Sequence, residues 1–179
     1  MRIISGTHKG RRINPPKNLP VRPTTDLAKE SLFNILNNYV DFRDLQVLDL
    51  FAGTGSISLE FASREAASVA SVDLNYRCVS FIRKTAAELG FDNLKVYRTD
   101  IFKFLQKTPL EKYDLVFSDA PYDLKGIEKL PNLVFNNGWL KKNARLIIEH
   151  PRGIDYTGHK YFNELRNYGK VHFSFFIRD

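Results

Sequence analysis

The sequence is poor in several things, and each shortage excludes a class of protein. Cys78 is the only cysteine among 179 residues, so no internal disulfide and no cysteine-rich zinc centre can form. Four scattered histidines, His8, His150, His159 and His172, lack the spacing of ligands, and no metal is expected. No stretch approaches the roughly 18 to 20 apolar residues of a membrane span, and the start, Met1 to Gly6, lacks the apolar core of a signal peptide. A protein of the reducing cytoplasm, with no membrane partner, is expected. There is no internal repeat and no low-complexity segment. Acidic residues are missing altogether from positions 1 to 25, which hold Arg2, Lys9, Arg11, Arg12, Lys17 and Arg22.

That local imbalance gives the overall charge an address. The chain carries 27 Lys and Arg against 20 Asp and Glu, a net charge of +7, which points to a polyanionic partner, with nucleic acid as the leading candidate. Pro15, Pro16, Pro20 and Pro23 forbid a helix in residues 1–25, and Gly6 and Gly10 punctuate short extended pieces. The segment reads as a basic arm whose Arg2, Lys9, Arg11, Arg12 and Arg22 grip phosphates; the alternative is a solvated tail. Residues 26–179 then suit one domain, and a chain of this length buries roughly 70% of its unfolded surface.

The organising stretch is residues 46–55. Val47 to Ala52 is apolar apart from Asp49 and reads as a buried strand, which Gly53-Thr54-Gly55 ends in a tight turn. Ser56 is read as the N-cap of a following amphipathic helix. Strand, glycine turn and helix make the first unit of an open α/β sheet, in which ligands bind beyond the carboxyl ends of the strands. Gly53-x-Gly55-x-x-Ser58 only approximates a dinucleotide fingerprint. Asp49, close to where a pyrophosphate would lie, favours a cationic ligand such as S-adenosylmethionine by charge.

Further along, Thr24 or Thr25 caps a helix whose face is Leu27, Ala28, Ser31, Leu32, Ile35 and Leu36. Val69–Val72 is a strand ending in Asp73, which is placed to accept ribose hydroxyls and suits NAD as well as S-adenosylmethionine. Tyr76–Leu89 is a helix with Cys78 as a small core residue, closed by Gly90. Leu94–Tyr97 is a strand followed by Asp100, which can accept an adenine amino hydrogen or cap the helix that begins at Ile101. Tyr113–Ser118 is a strand leading into Asp119-Ala120-Pro121-Tyr122. Residues 124–135 are read as partly helical, Arg145–Glu149 as a strand, 156–167 as containing a short helix and 170–177 as a closing antiparallel strand. Asp49, Asp73, Asp100 and Asp119 are thus expected at one edge of the sheet, where they would repel a diphosphate and suit a sulfonium methyl donor and an amine substrate.

The N-terminal Arg2-Ile3-Ile4-Ser5-Gly6 with Lys9-Gly10-Arg11-Arg12, then Arg22-Pro23-Thr24, Glu30 to Asn34, Val47 to Gly55 and Asp119-Ala120-Pro121-Tyr122, resembles the RsmD-type methyltransferases in order along nearly the whole chain. The resemblance implies a Rossmann-like class I fold with a seven-stranded, mostly parallel sheet and an antiparallel last strand. It implies S-adenosylmethionine as donor and the exocyclic N2 of a guanine in 16S ribosomal RNA as acceptor, in a small-subunit particle or assembly intermediate. Cofactor contacts are then expected from Asp49, Phe51, Ala52, Gly53, Gly55, Asp73, Asp100 and Ile101, and catalysis from Asp119, Pro121 and Tyr122, in a monomer. Ala120 departs from the usual proline of that loop. Two other readings are an N6-adenine methyltransferase of DNA or RNA, which uses the same loop on a different amine, and a non-catalytic RNA-binding assembly factor; a dehydrogenase lacks any residue placed for hydride chemistry.

Overall fold

The structure is a computed structural model that describes residues 1–17, 19, 21, 25–168 and 171–178. Its elements are α1 (Asp26–Leu36), β1 (Gln46–Leu50), α2 (Ser56–Ser63), β2 (Ser68–Asp73), α3 (Tyr76–Glu88), β3 (Leu94–Arg98), α4 (Ile101–Leu105), β4 (Tyr113–Asp119), α5 (Leu130–Asn136), β5 (Leu140–His150), β6 (Phe162–Tyr168) and β7 (Val171–Ile177). The seven strands form one sheet in the order β3-β2-β1-β4-β5-β7-β6. β1 to β5 pair in parallel, and β7 runs antiparallel to both β5 and β6. Strand order therefore reverses between β1 and β4, where an open sheet leaves a crevice at its carboxyl edge.

Strand alternation divides the core. Val47, Val69, Leu115, Phe117 and Ile147 face α1, α2 and α3, meeting Leu32, Phe33, Leu59, Phe61, Val79 and Ile82. Leu48, Leu50, Val72, Val116, Leu146 and Ile148 face α4 and α5, meeting Ile101, Leu105, Leu130 and Val134. Cys78 is fully buried, and burial pushes its thiol up to about 11, as suits a core residue.

The structure differs from the sequence reading at several points. β1 stops at Leu50, because Phe51 turns into the left-handed region with φ 59°. Ser56 is the first residue of α2 rather than its cap, and Gly55 holds the cap position with φ 73° and no side-chain bond. Only glycine suits that place, since a Cβ would stand 2.7 Å from Ile82 on α3. Thr25 caps α1, its hydroxyl accepting the Ala28 N–H at 3.2 Å; Thr24 lies outside the described residues. Residues 124–135 are partly helical as read, with a 3-10 turn at Ile127–Lys129 and the start of α5. The helix expected within 156–167 is instead turn and strand β6, whose exposed and half-buried residues alternate along an edge strand. β5 begins five residues earlier than the stretch 145–149 marks, its first half hidden in sequence by Lys141, Lys142 and Asn143.

The N-terminal arm is folded. Met1 to Ile13 form a hairpin bridged at Arg2 and Arg12, with Ile3 and Ile13 buried. It docks on α2 through Glu60, whose carboxylate accepts the N–H groups of Ile4 at 2.8 Å and Ser5 at 3.0 Å and pairs with Arg64 at 2.9 Å and Lys29 at 3.6 Å. Burial lowers the pKa of Lys29 while Glu60 beside it opposes the shift. Gly6 closes the approach, because a Cβ there would meet the Ser63 carbonyl oxygen at 1.8 Å. Glu60→Ala leaves the Lys29 charge buried without its counter-charge and two N–H groups without their acceptor, and is expected to destabilise the protein by about 3 to 5 kcal/mol. Urea unfolding measures this; a loss below about 1 kcal/mol would show that Glu60 is not what holds the hairpin.

Candidate active site

A cavity of about 1030 Å³ opens at the carboxyl ends of β1, β2, β4 and β5. Drug-sized ligands occupy roughly 300 to 1,000 Å³, so the space admits a nucleoside-sized cofactor together with part of a substrate. Phe51, Ala52, Gly53 and Thr54 from the glycine turn form its floor, beside Asp73, and Asp100 and Ile101 at the head of α4 form one wall. Asp119, Ala120, Pro121, Tyr122 and Asp123 from the loop after β4 form the facing wall, closed by Glu149 of β5.

Asp73 is the organising acid. One oxygen accepts the Gly53 N–H at 2.8 Å, the other accepts the Asn75 N–H at 2.7 Å, and burial raises its pKa while these bonds oppose the rise. The Leu74 N–H bonds to the carboxylate as well, so three of its four lone pairs are engaged and one remains for a ligand hydroxyl. Asp100 accepts the Lys103 N–H at 2.9 Å and so caps α4 while lining the cavity. After β4, the Leu124 N–H donates to the Pro121 carbonyl at 2.9 Å, which closes the loop into a turn although Ala120 stands where the family pattern has proline. Ala120 itself is buried at 1% exposure, packed beneath the loop. Tyr122 is 44% exposed, and its hydroxyl lies 3.4 Å from Glu149 Oε1.

Two expected contacts are placed elsewhere. Asp49 does not line the cavity: it lies level with Ser71 and Phe117, two residues below Asp73 and Asp119 on the same face, where at 1% exposure it accepts the Ser58 hydroxyl of α2. Burial pushes its carboxyl up to about 7, and the negative fields of Asp119 and Asp73 add to the rise. Gly55 is absent from the lining and instead serves the α2–α3 contact. Glu149 and Asp123 complete the acidic wall in Asp49's stead, and Phe102 and Arg98 also line the cavity. Counting acids at strand ends, the rule that selects Asp73 and Asp119, also reaches Glu149; Asp123 has no comparable signal.

Five carboxylates, Asp73, Asp100, Asp119, Asp123 and Glu149, against two guanidiniums, Arg77 and Arg98, make this a poor diphosphate site. They fit S-adenosylmethionine, which is cationic and has ribose hydroxyls for Asp73. A second, basic groove of about 570 Å³ runs between the hairpin and α3, lined by Arg11, Arg12, Arg77 and Lys84, and it shares Tyr76 and Arg77 with the cavity. Of the other arm residues, Lys9 is exposed, Arg2 pairs with Glu30 at 2.9 Å, and Arg22 lies outside the described residues. No described group of side chains is arranged to hold a metal, and no described helix is long and apolar enough to cross a membrane.

The family model described as Conserved hypothetical protein 95 matches residues 1–177. Ribosomal RNA small subunit methyltransferase D of Buchnera aphidicola (from Acyrthosiphon pisum) is 37% identical over 84% of this chain and 78% of its own length. The protein of that name in Escherichia coli K12 is 35% identical over 83% of this chain and 74% of its own. The chain belongs to the RsmD family of methyltransferases. The solved structure of Escherichia coli yhhF, 30% identical, superposes with a TM-score of 0.87 over 100% of this chain and 98% of that one. The Rossmann-like fold accords with this membership.

In this RsmD-family chain Asp49 also leaves a signature in stability. An acid whose folded pKa is raised to about 7 keeps its proton in the native state while the unfolded chain releases it above about 4. Asp49 therefore lowers stability progressively as pH rises from about 4 to about 7, and its effect is constant above that. Asp49→Asn keeps an acceptor for Ser58 and is expected to gain up to about 4 kcal/mol relative to the parent at pH 8 and almost nothing at pH 4. Denaturant titrations at both pH values decide; an equal difference at the two would contradict a buried, protonated Asp49.

Proposed function

We propose that this protein transfers the methyl group of S-adenosylmethionine to the exocyclic N2 of a guanine in 16S ribosomal RNA, acting in the cytoplasm as a monomer on a small-subunit particle or assembly intermediate. The observation that carries the reading is that Asp119-Ala120-Pro121-Tyr122 opens into the same acidic cavity as the Asp73-bound glycine turn, in a chain of the RsmD family. The bound cofactor supplies an electrophilic methyl group; the protein supplies the rest. Asp73 takes the ribose, and Phe51, Ala52 and Ile101 frame an apolar seat beside it. A base turned out of its helix reaches the Tyr122 ring, which offers a face for stacking. Asp119 accepts an N–H of the amine, returning lone-pair density to a nitrogen otherwise conjugated with the ring, and stabilises the positive charge that develops on it during attack. Pro121 and the turn bond to Leu124 keep the loop in one shape, so that the amine is held in line.

Residues 1–25 extend this surface. The hairpin is fixed to α2, so Arg11 and Arg12 stand as pre-ordered cations along the groove that leads to the cavity, and with Lys9, Arg2 and Arg22 they take phosphates of the RNA. Replacing Arg11 and Arg12 together by Ala should flatten the salt dependence of RNA affinity by about 0.7 to 0.9 for each phosphate left without its cation. Filter binding across a salt series reads this, and an unchanged slope would remove the arm from the RNA interface.

The catalytic assignment is tested by tritium transfer to small-subunit particles followed by nucleoside analysis. Asp119→Ala is expected to abolish turnover and to leave S-adenosylmethionine affinity intact, whereas Asp73→Ala weakens that affinity about ten- to a hundredfold. Tyr122→Ala loses roughly five- to a hundred-and-sixtyfold in rate, the worth of stacking one base at about 1 to 3 kcal/mol. An active Asp119→Ala enzyme would overturn the mechanism, and label in N6-methyladenine would overturn the substrate.

A further inference from the structure

Glu149 ends β5 beside Asp119. The two are register partners across β4 and β5, so their side chains leave the same face of neighbouring strands, and both line the cavity. Glu149 is only 5% exposed, with the Tyr122 hydroxyl 3.4 Å from its Oε1. A carboxylate is a costly residue to bury at the rim of a sheet whose preceding positions, Ile147 and Ile148, are apolar and fully buried. Its placement answers a question that Asp119 leaves open, because Asp119 accepts a hydrogen from an exocyclic amine and both guanine and adenine have one.

We propose that Glu149 determines the base, by accepting the N1–H of guanine while Asp119 accepts from the N2 amine; this rests on the guanine-N2 reading given above. Guanine presents two adjacent donors, N1–H and N2–H, which two adjacent carboxylates match. Adenine with its amine at Asp119 would turn the N1 lone pair onto the Glu149 carboxylate, leaving two acceptors face to face at a residue only 5% exposed. Tyr122, whose ring is offered for stacking, reaches the same carboxylate through its hydroxyl. Sites that hydrogen-bond a substrate N–H discriminate strongly against analogues that lack it.

The probe is 2-aminopurine, which keeps the reacting amine but has an acceptor at N1. Small-subunit particles are assembled on 16S ribosomal RNA ligated to carry guanine or 2-aminopurine at the methylated position, and kcat/KM is measured on each. The parent is expected to prefer guanine by about tenfold or more. Glu149→Gln, of the same shape and able to donate as well as accept, should bring the two substrates within about threefold of each other. Tyr122→Phe removes the hydroxyl alone and should slow both substrates while keeping the parental preference, which separates reading the base from holding the ring. A Glu149→Gln enzyme slowed equally on both, with the preference intact, or a parent with no preference, would overturn the assignment. Absence of N2-methylguanine from guanine particles treated with the parent enzyme would instead mark failure of the underlying reading, and both would fall together.

Discussion

Two backbone N–H groups, from Gly53 and Asn75, converge on the carboxylate of Asp73, and the site depends on this convergence. It joins the turn after β1 to the start of α3, across the place where the chain must leave one strand and begin the next helix. Phe51, held at φ 59°, directs the chain into that turn, and the Ala52 N–H donates to the Val72 carbonyl at 3.1 Å to fasten it to β2. A left-handed conformation in a bulky residue costs of order 1 to 3 kcal/mol and persists where surrounding bonds enforce it. The floor of the cavity is therefore built before any ligand arrives, and ordering it costs little on binding.

The same preorganisation applies to the N-terminal hairpin. Glu60, fully buried on α2, takes two N–H groups from the hairpin and two cations, Lys29 and Arg64, from α1 and the end of α2. The basic N-terminal arm, expected to pack on or extend the core, has Ile3 in the core and Arg11 and Arg12 on a groove beside α3. Cations held in place lose less entropy on meeting phosphates than those of a loose tail.

Much of this was legible in the residues, and the failures have physical reasons. The parallel strands read well because they are short apolar runs, each ended by an acid or a glycine at the ligand edge. Asp73, Asp100 and Asp119 line the cavity as strand counting implies. Asp49 does not, because it pairs with Ser71 and Phe117, two residues short of the edge that Asp73 and Asp119 reach on the same face, and there it is buried against Ser58. β6 escaped because an edge strand exposed along one side carries charged and polar residues, Asn163, Glu164, Arg166 and Asn167, that a helix would equally accept. The residue that holds the hairpin was hidden because this acceptor, Glu60, lies 55 residues beyond Ser5 in sequence, as an ordinary glutamate within a helix. Glu149 was passed over as the end of a strand, although its position obeys the rule that singled out the other acids.

A ring of carboxylates around the glycine turn selects a cationic methyl donor over a diphosphate cofactor, and on this selection the functional reading stands. Isothermal titration of the purified protein with S-adenosylmethionine and with NAD, under the same conditions, measures it. Saturable binding of S-adenosylmethionine is expected, with affinity for NAD weaker by at least about a hundredfold, the equivalent of roughly 2.7 kcal/mol. Equal or tighter binding of NAD would contradict it.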